Sequence, residues 1–280
     1  MDITWSIFPK FFKHLSIQQL AELIGQVGLD TTNLVIRKGY WVAPDTLETD
    51  APAFVEAMRS AGLEVRFATA GFMPEQLIAD DTPLAVLADC GITEFRMGYF
   101  QWDETRSPSA CIETARGQME QLAGICQRRG IRAVYQIHHG TLVPSPWSVW
   151  QLVRGLPAEY VGVMLDPGNQ AMEGWEKWRR SMALLGDHVV AMGIKDAGVF
   201  RDGDPAGEAK GWRRKLEVPL TEGVVNWYEV VRALREFDFA GTFVYMPFYH
   251  NDNPQKMTET LAEEVAYLRD VVRQVEQEEV

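Results

Sequence analysis

The stretch AVYQIHHGTLVPSPWSVWQLVRGLPAEYVGVMLD, residues 133–166, decides the fold. It opens on an apolar, β-branched run that ends in a glutamine and two histidines, 133–139. A Gly-Thr turn follows, then a segment of helical period over 145–156 introduced by Ser145 as N-cap, then a second apolar run, VGVMLD, at 161–166. Two strands joined by a helix of this length form a parallel βαβ crossover, because a tight hairpin cannot connect parallel strands.

Outward from this unit the alternation repeats. Strand-like runs fall at 3–8, 33–37, 64–70, 94–100, 133–139, 161–166, 189–196 and 241–247, each followed by a helix-period segment. Several of those segments start at Ser, Asp, Thr or Asn and end at Gly, as N-cap and left-handed C-cap chemistry require. Eight β/α units in 280 residues predict one α/β domain over 1–280, a (β/α)8 barrel of the TIM type, for which about 250 residues is typical. An open doubly wound sheet would place a glycine-rich phosphate loop after the first strand, and IFPKFF (7–12) is no such loop. One long connection, 197–222, carries Gly198, Gly203, Gly207 and Gly211 among charges and is expected to act as a lid.

Composition narrows the function. A net charge of -12 and a pI near 4.9, with no Lys/Arg cluster, exclude nucleic acid as the expected partner. No apolar run reaches the roughly 18 residues of a spanning helix, so no membrane partner is expected. The N-terminal MDITWSIFPKFFKH reads as a first strand and not as a signal peptide. Cys90, Cys111 and Cys126 are odd in number and lack metal-type spacing, which predicts reduced thiols in a cytoplasmic protein.

In a (β/α)8 barrel the chemistry lies at the C-terminal ends of the strands. Alternation along each strand then sorts inward from outward positions. With Tyr135 and Ile137 on the helix-packed side, Gln136 and His138 point inward; the same parity brings in Met164, Asp166, Gly193, Lys195, Thr242, Val244 and Met246. Arg37 is expected inward, and Arg96 is left open by parity. Trp41, Tyr99, Trp102, Trp147 and Trp175 fall in or near βα loops and could stack on a sugar face, with two of the five expected to do so. His139 is expected to make a structural hydrogen bond. Asn169, expected to follow a Pro-Gly turn at 167–168, and Glu173, Glu208 and His250 complete the rim candidates.

LDPGN (165–169), IKDAG (194–198), the segment LEVPLTEGVVNWYEVVRALREFDFAG (216–241) and the order of elements resemble the sugar phosphate isomerase/epimerase family with its xylose-isomerase-like TIM barrel. The resemblance spans essentially the whole chain. It implies enolisation of a sugar, cyclitol or related polyhydroxy carbonyl substrate. It also implies a divalent cation held by Glu, Asp, His and Glu on strands five to eight; the matching positions here are Gln136, Asp166, Gly193 and Met246. Only Asp166 keeps the expected type, so no cofactor is expected. A retained Mn, Mg, Co or Zn ion would have to use Asp166, Gln136 and His138, helped by Glu173 or His250.

Without a metal, the enolate charge must meet preorganised donors or cations. His138, with an ordinary pKa near 6.5, can move a proton at neutral pH. Lys195 can stabilise an enolate, form an imine with a keto sugar, bind a substrate phosphate or pair with Asp166, and Asp166 can serve as base or orient Lys195. The expected substrate contacts are Gln136, Asn169, Arg37, Arg96, Tyr99, Trp102, Glu173 and His250. Three readings remain open: an isomerase or epimerase, a lyase or dehydratase on a keto sugar, and a barrel retained as a ligand-binding or scaffold subunit. A homo-oligomer is expected from the resemblance, and the scaffold reading implies a hetero-oligomer.

Overall fold

The computed structural model describes residues 1–174, 176–201 and 211–278, the side chain of residue 217 apart. Its strands are β1 (Asp2–Ile7), β2 (Thr31–Thr32), β3 (Leu34–Val35), β4 (Phe67–Thr69), β5 (Glu94–Arg96), β6 (Arg132–Gln136), β7 (Val161–Leu165), β8 (Val189–Ile194), β9 (Asp196–Arg201), β10 (Trp212–Val218) and β11 (Ala240–Tyr245). Its helices are α1 (Ile17–Gln26), α2 (Leu47–Ser60), α3 (Pro74–Ala79), α4 (Thr82–Asp89), α5 (Pro108–Arg129), α6 (Pro146–Val153), α7 (Pro167–Glu173), α8 (Trp178–Leu185), α9 (Trp227–Glu236) and α10 (Pro254–Gln277).

All strands but β9 and β10 form one parallel sheet in the order β2-β1-β11-β8-β7-β6-β5-β4-β3. β2 and β3 are two pieces of one barrel strand, one paired with β1 and the other with β4, so the sheet closes on itself at Asn33. The Asn33 side chain bridges this gap: its Oδ1 accepts the Ser6 hydroxyl at 2.8 Å and its Nδ2 donates to Thr69 Oγ1 at 3.0 Å. The result is a TIM barrel whose second strand is interrupted and held by a buried amide.

Parity holds where it matters. Val35, Phe67, Val134, Met164, Ala191, Val244 and Met246 pack together inside the barrel, whereas Tyr135, Ile137 and Phe243 belong to the large cluster between sheet and helices. α10 closes that outer layer by burying Met257, Leu261, Val265, Leu268, Val271 and Val275, spaced by three or four residues as a one-faced helix requires.

Four features differ from the sequence reading. The runs at 64–70 and 94–100 pair over only three residues each: β4 starts late, at Phe67, and the chain leaves β5 after Arg96 toward the barrel mouth. Two short helices, α3 and α4, follow the run at 64–70, where one helix-period segment is expected. The Pro-Gly pair after Asp166 does not make a turn; it starts α7, with the Asp166 side chain accepting the Asn169 amide as N-cap and Pro167 in the first turn. The long connection, the candidate lid, is not an irregular loop throughout: in its described parts it carries an antiparallel pair, β9 and β10, with Gly198 inside β9. Gly203, Gly207, Glu208 and Trp175 lie outside the described residues.

Among the described residues no helix is long and apolar enough to cross a membrane.

Candidate active site

The polar centre of the barrel mouth is Asp166. It is fully buried at the end of β7, and four donors converge on it. Its Oδ1 accepts the Asn169 backbone N–H at 2.9 Å. Its Oδ2 accepts Gln136 Nε2 at 2.5 Å and Asn169 Nδ2 at 2.7 Å, and the Lys195 ammonium lies 3.2 Å away. Adjacent strands supply these groups: β6 ends in Gln136, β7 leads into Asp166, and Lys195 follows β8.

Two glycines make the arrangement fit. A Cβ at Gly193 would stand 2.7 Å from Asp166 Oδ2, and one at Gly168 would stand 2.9 Å from Lys195 Cγ. Side chains at either position would push the ion pair apart.

Gln136 passes the network on. Its Oε1 accepts the Tyr99 hydroxyl at 2.5 Å, and its Nε2 also lies 3.6 Å from Met246 Sδ. The Tyr99 ring contacts two cation-capable groups: the His138 ring at 4.6 Å and the Arg96 guanidinium at 4.8 Å. Burial raises the Tyr99 hydroxyl above the ordinary phenol range, so it stays a donor.

His138 and His139 follow β6 in a turn fixed by the Thr141 hydroxyl, which donates to the His138 carbonyl at 2.7 Å. His138 Nδ1 bonds the His139 carbonyl at 2.8 Å, so in the neutral ring Nδ1 carries the hydrogen and Nε2 keeps its lone pair. Burial, and next the nearby Lys195 charge, push the His138 imidazole down to about 4. It is therefore neutral at pH 7. His139 makes the structural bond expected of it: Nδ1 meets Asn169 Oδ1 at 2.7 Å, while Asn169 Nδ2 also donates to the Ile137 carbonyl at 3.2 Å.

Burial likewise lowers Lys195, and Asp166 opposes that effect. Burial also lowers Arg96, whose guanidinium nevertheless stays charged because its ordinary value is so high.

The structure thus gathers Gln136, His138, Asp166, Asn169, Lys195, Tyr99 and Arg96 at one end of the barrel. The other candidates stand at the rim or away from it. Arg37, expected inward, stays at the mouth, close enough for its charge to act on Lys10 and Arg96, but its side chain is exposed, 5.7 Å from the Tyr40 ring, because the chain turns there to pair Ile36 with Val42. Glu173 is used locally, its carboxylate accepting the Gly140 amide. His250 packs on Tyr249 with ring centroids 5.4 Å apart. Trp102 is exposed and donates to the Arg106 carbonyl; Trp41 donates to Leu15 O and packs on Phe54; Trp147 is exposed and stacks on Trp150. Sequence reasoning missed Lys10 and Phe248, which stand at the mouth: the Lys10 ammonium is 4.8 Å from the Phe248 ring and that of Lys195 is 5.0 Å from it. Lys10 is the first cation after β1, a signal available in the sequence.

The opposite end of the barrel also has a recess, of about 440 Å3, lined by Asp2, Asp30, Glu64, Arg66, Glu94 and Thr242 among others. It faces the N-terminal strand ends, where barrel residues serve stability and not chemistry.

The donor set is the reverse of what a divalent cation needs. Around Asp166 stand an ammonium, two side-chain amides and a backbone N–H, all donors, while Gly193 has no side chain and Met246 offers only a thioether. Among the described residues, no three His, Cys, Asp or Glu side chains are placed to share a metal ion. The residues present do not fit the cation that the fold implies.

A closed (β/α)8 barrel with its polar groups gathered at the strand C-termini defines the class to which this protein belongs. The sequence pattern of the family described as xylose isomerase-like TIM barrel matches residues 81–271, and the chain belongs to that family. No curated protein sequence matches it significantly. Among solved structures it is similar to the IOLI protein with a bound zinc atom (TM-score 0.72, 14% identity, 98% of this chain and 99% of that one). It is also similar to D-allulose 3-epimerase from Methylomonas sp. in complex with D-allulose (0.71, 11%, 96% and 97%). A third is a xylose isomerase-like TIM barrel protein from Mycobacterium smegmatis in complex with magnesium (0.65, 16%, 98% and 97%). At these identities the likeness is one of fold.

Proposed function

We propose that this chain is an isomerase or epimerase of a polyhydroxy carbonyl compound that acts through an enolate without a metal ion. The observation that carries this reading is the buried Lys195–Asp166 pair at the catalytic end of the barrel, joined to Gln136 and Tyr99. Burying two charges costs desolvation that their attraction repays only in part, so a barrel kept merely as scaffold gains nothing from them.

In the proposed step, His138 Nε2 removes the proton from the carbon beside the carbonyl. The C–H electrons form the C=C bond, and the carbonyl π electrons move onto oxygen. The Lys195 ammonium and the Tyr99 hydroxyl are the candidate donors to that oxygen. If the enolate turns its other face to the imidazolium before the proton returns to the same carbon, an epimer results; return to the former carbonyl carbon, with a proton shift between oxygens, gives an aldose–ketose isomer. Neighbours named as acting on sugars support the substrate class: D-allulose 3-epimerase in complex with D-allulose and L-ribulose 3-epimerase.

The test is incubation of the purified protein with a panel of ketoses and keto sugar acids in D2O, followed by proton NMR. Loss of one carbon-bound proton signal in a substrate, abolished in His138→Gln, is the expected result. If no compound exchanges a proton, enolisation is wrong and the scaffold reading takes its place.

A further inference from the structure

Among the described residues, the barrel mouth carries more positive charge than its carboxylates balance. Lys10 follows β1, Arg37 follows β3, Arg96 ends β5 and Lys195 follows β8, so four strand ends deliver four cations to one opening. Lys195 has Asp166 as partner. Among the described residues, Lys10, Arg37 and Arg96 form no ion pair. This excess lies in a protein whose net charge is -12, so it is a local feature of the mouth and not part of a generally basic surface.

Arg96 is the telling member. It is only 6% exposed, yet its one hydrogen bond among the described residues is Nη1 to the Met97 carbonyl at 2.9 Å, with the Tyr99 ring beneath it. A guanidinium has five N–H donors in a planar fork, and burying it without an anion is costly. Lys10 is half-buried, its ammonium 5.0 Å and 4.8 Å from the rings of Phe11 and Phe248. Phe248 lies under both the Lys10 and the Lys195 ammonium groups, which brings those two cations to one ring. Their mutual repulsion is felt: after burial, the charges of Arg37 and Lys195 are what lower Lys10. Sugar hydroxyls could occupy the free donors but would not offset the charge. An oxyanion does both, and its planar or tetrahedral oxygens match the arginine fork.

We propose that the substrate carries a terminal oxyanion, a carboxylate or a phosphate, bound by Arg96 with Lys10 and Arg37 around it. This deepens the enolisation reading and rests on it for the rest of the substrate, a polyhydroxy carbonyl compound. The anion is read by side chains alone, since no glycine-rich phosphate loop follows β1.

The test is calorimetric titration at fixed ionic strength with inorganic phosphate, D-gluconate and uncharged D-fructose, using wild type, Arg96→Met and Lys10→Met. Wild type is expected to bind one oxyanion, with a loss of about tenfold or more in Arg96→Met, as for a charged hydrogen-bonded partner, and a smaller loss in Lys10→Met. Response to phosphate alone identifies a phosphate ester, and response to gluconate alone a sugar acid. In anion-free buffer Arg96→Met should melt no lower than wild type, because it removes an uncompensated buried charge, and its melting point should no longer rise with the anion. Failure of both oxyanions to bind, or Arg96→Met binding as wild type does, overturns the proposal. Oxyanion binding with no proton exchange in D2O for any compound leaves this site standing and removes enolisation; exchange in a neutral ketose without oxyanion binding does the opposite.

Discussion

Lys195 holds its ammonium 3.2 Å from Asp166 Oδ2 while the two side chains are 3% and 0% exposed. Gln136 and Asn169 donate to the same oxygen, so the carboxylate is saturated by donors and is unsuited to take a proton itself. This favours Asp166 as the group that positions Lys195 and leaves proton transfer to His138.

Breaking the pair from one side should be costly. Asp166→Ala leaves Lys195 buried without an anion and removes the cap of α7, and about 3–5 kcal/mol of stability should go with it. The double variant Asp166→Asn/Lys195→Met should be more stable than Asp166→Ala when urea midpoints are compared. A double variant as unstable as the single one would show that the charges are not what matters there.

His138→Gln should lower kcat by about 10²–10⁴, the usual worth of a general base, with little change in melting temperature. In wild type the acid limb of kcat/KM should fall near pH 4, because the imidazole is held down to about 4 and stays in its base form above that. The same shift bears on stability: below the ordinary histidine value the unfolded chain takes up a proton that the folded ring refuses. Stability therefore falls from about pH 6.5 to pH 4 on this account. An acid limb near 6.5 would move the base role elsewhere.

Glu264, on α10, is buried and accepts the Leu220 amide at 2.7 Å and the Tyr249 hydroxyl at 2.5 Å. Burial raises it to about 8, and Asp196 nearby is raised to about 6 by its own burial. Between about pH 4.3 and 8 the folded state keeps a proton that the unfolded carboxyl has released, so stability declines as pH rises through that range. Glu264→Gln copies the protonated acid and should flatten the decline, matching wild type near pH 5 and exceeding it near pH 8.5 in thermal melts.

Restoring a single residue of the family's metal set should fail. Gly193→His forces a Cβ to within 2.7 Å of Asp166 Oδ2, so it should cost stability and displace the carboxylate without creating a site. Elemental analysis after incubation with Mn2+, Co2+ or Zn2+ and desalting is expected to show no stoichiometric metal in wild type or variant. One metal per chain in wild type would show that Asp166 can shed its donors for a cation.

Much of this was legible in residue order because alternation in a strand is a local property. Tyr135 and Ile137 against Gln136 settle which way β6 faces, and the same logic placed Asp166 and Lys195 at the mouth. The features that were not legible depend on partners far along the chain. Asn33 interrupts a strand because Ser6 and Thr69 are both there to receive its side chain, and nothing within NLVIR announces that. Asp-Pro after an apolar strand is a cap-and-first-turn signal, but the following glycine made it resemble a turn. Arg37 was misplaced because strand parity ceases to apply once the backbone turns to meet Val42.

The seam of the barrel joins β1 to β11, register Asp2 with Ala240 through Ile7 with Tyr245. During synthesis the first strand must therefore wait for some 230 further residues before its neighbour exists, with one edge of backbone donors and acceptors open meanwhile. Parallel pairing over such separation is intrinsically slow, and an open strand edge is a template for other chains. This architecture makes the nascent chain most vulnerable to aggregation just before β11 emerges, and any truncation that removes β11 makes that state permanent by leaving β1 and β8 each with a bare edge.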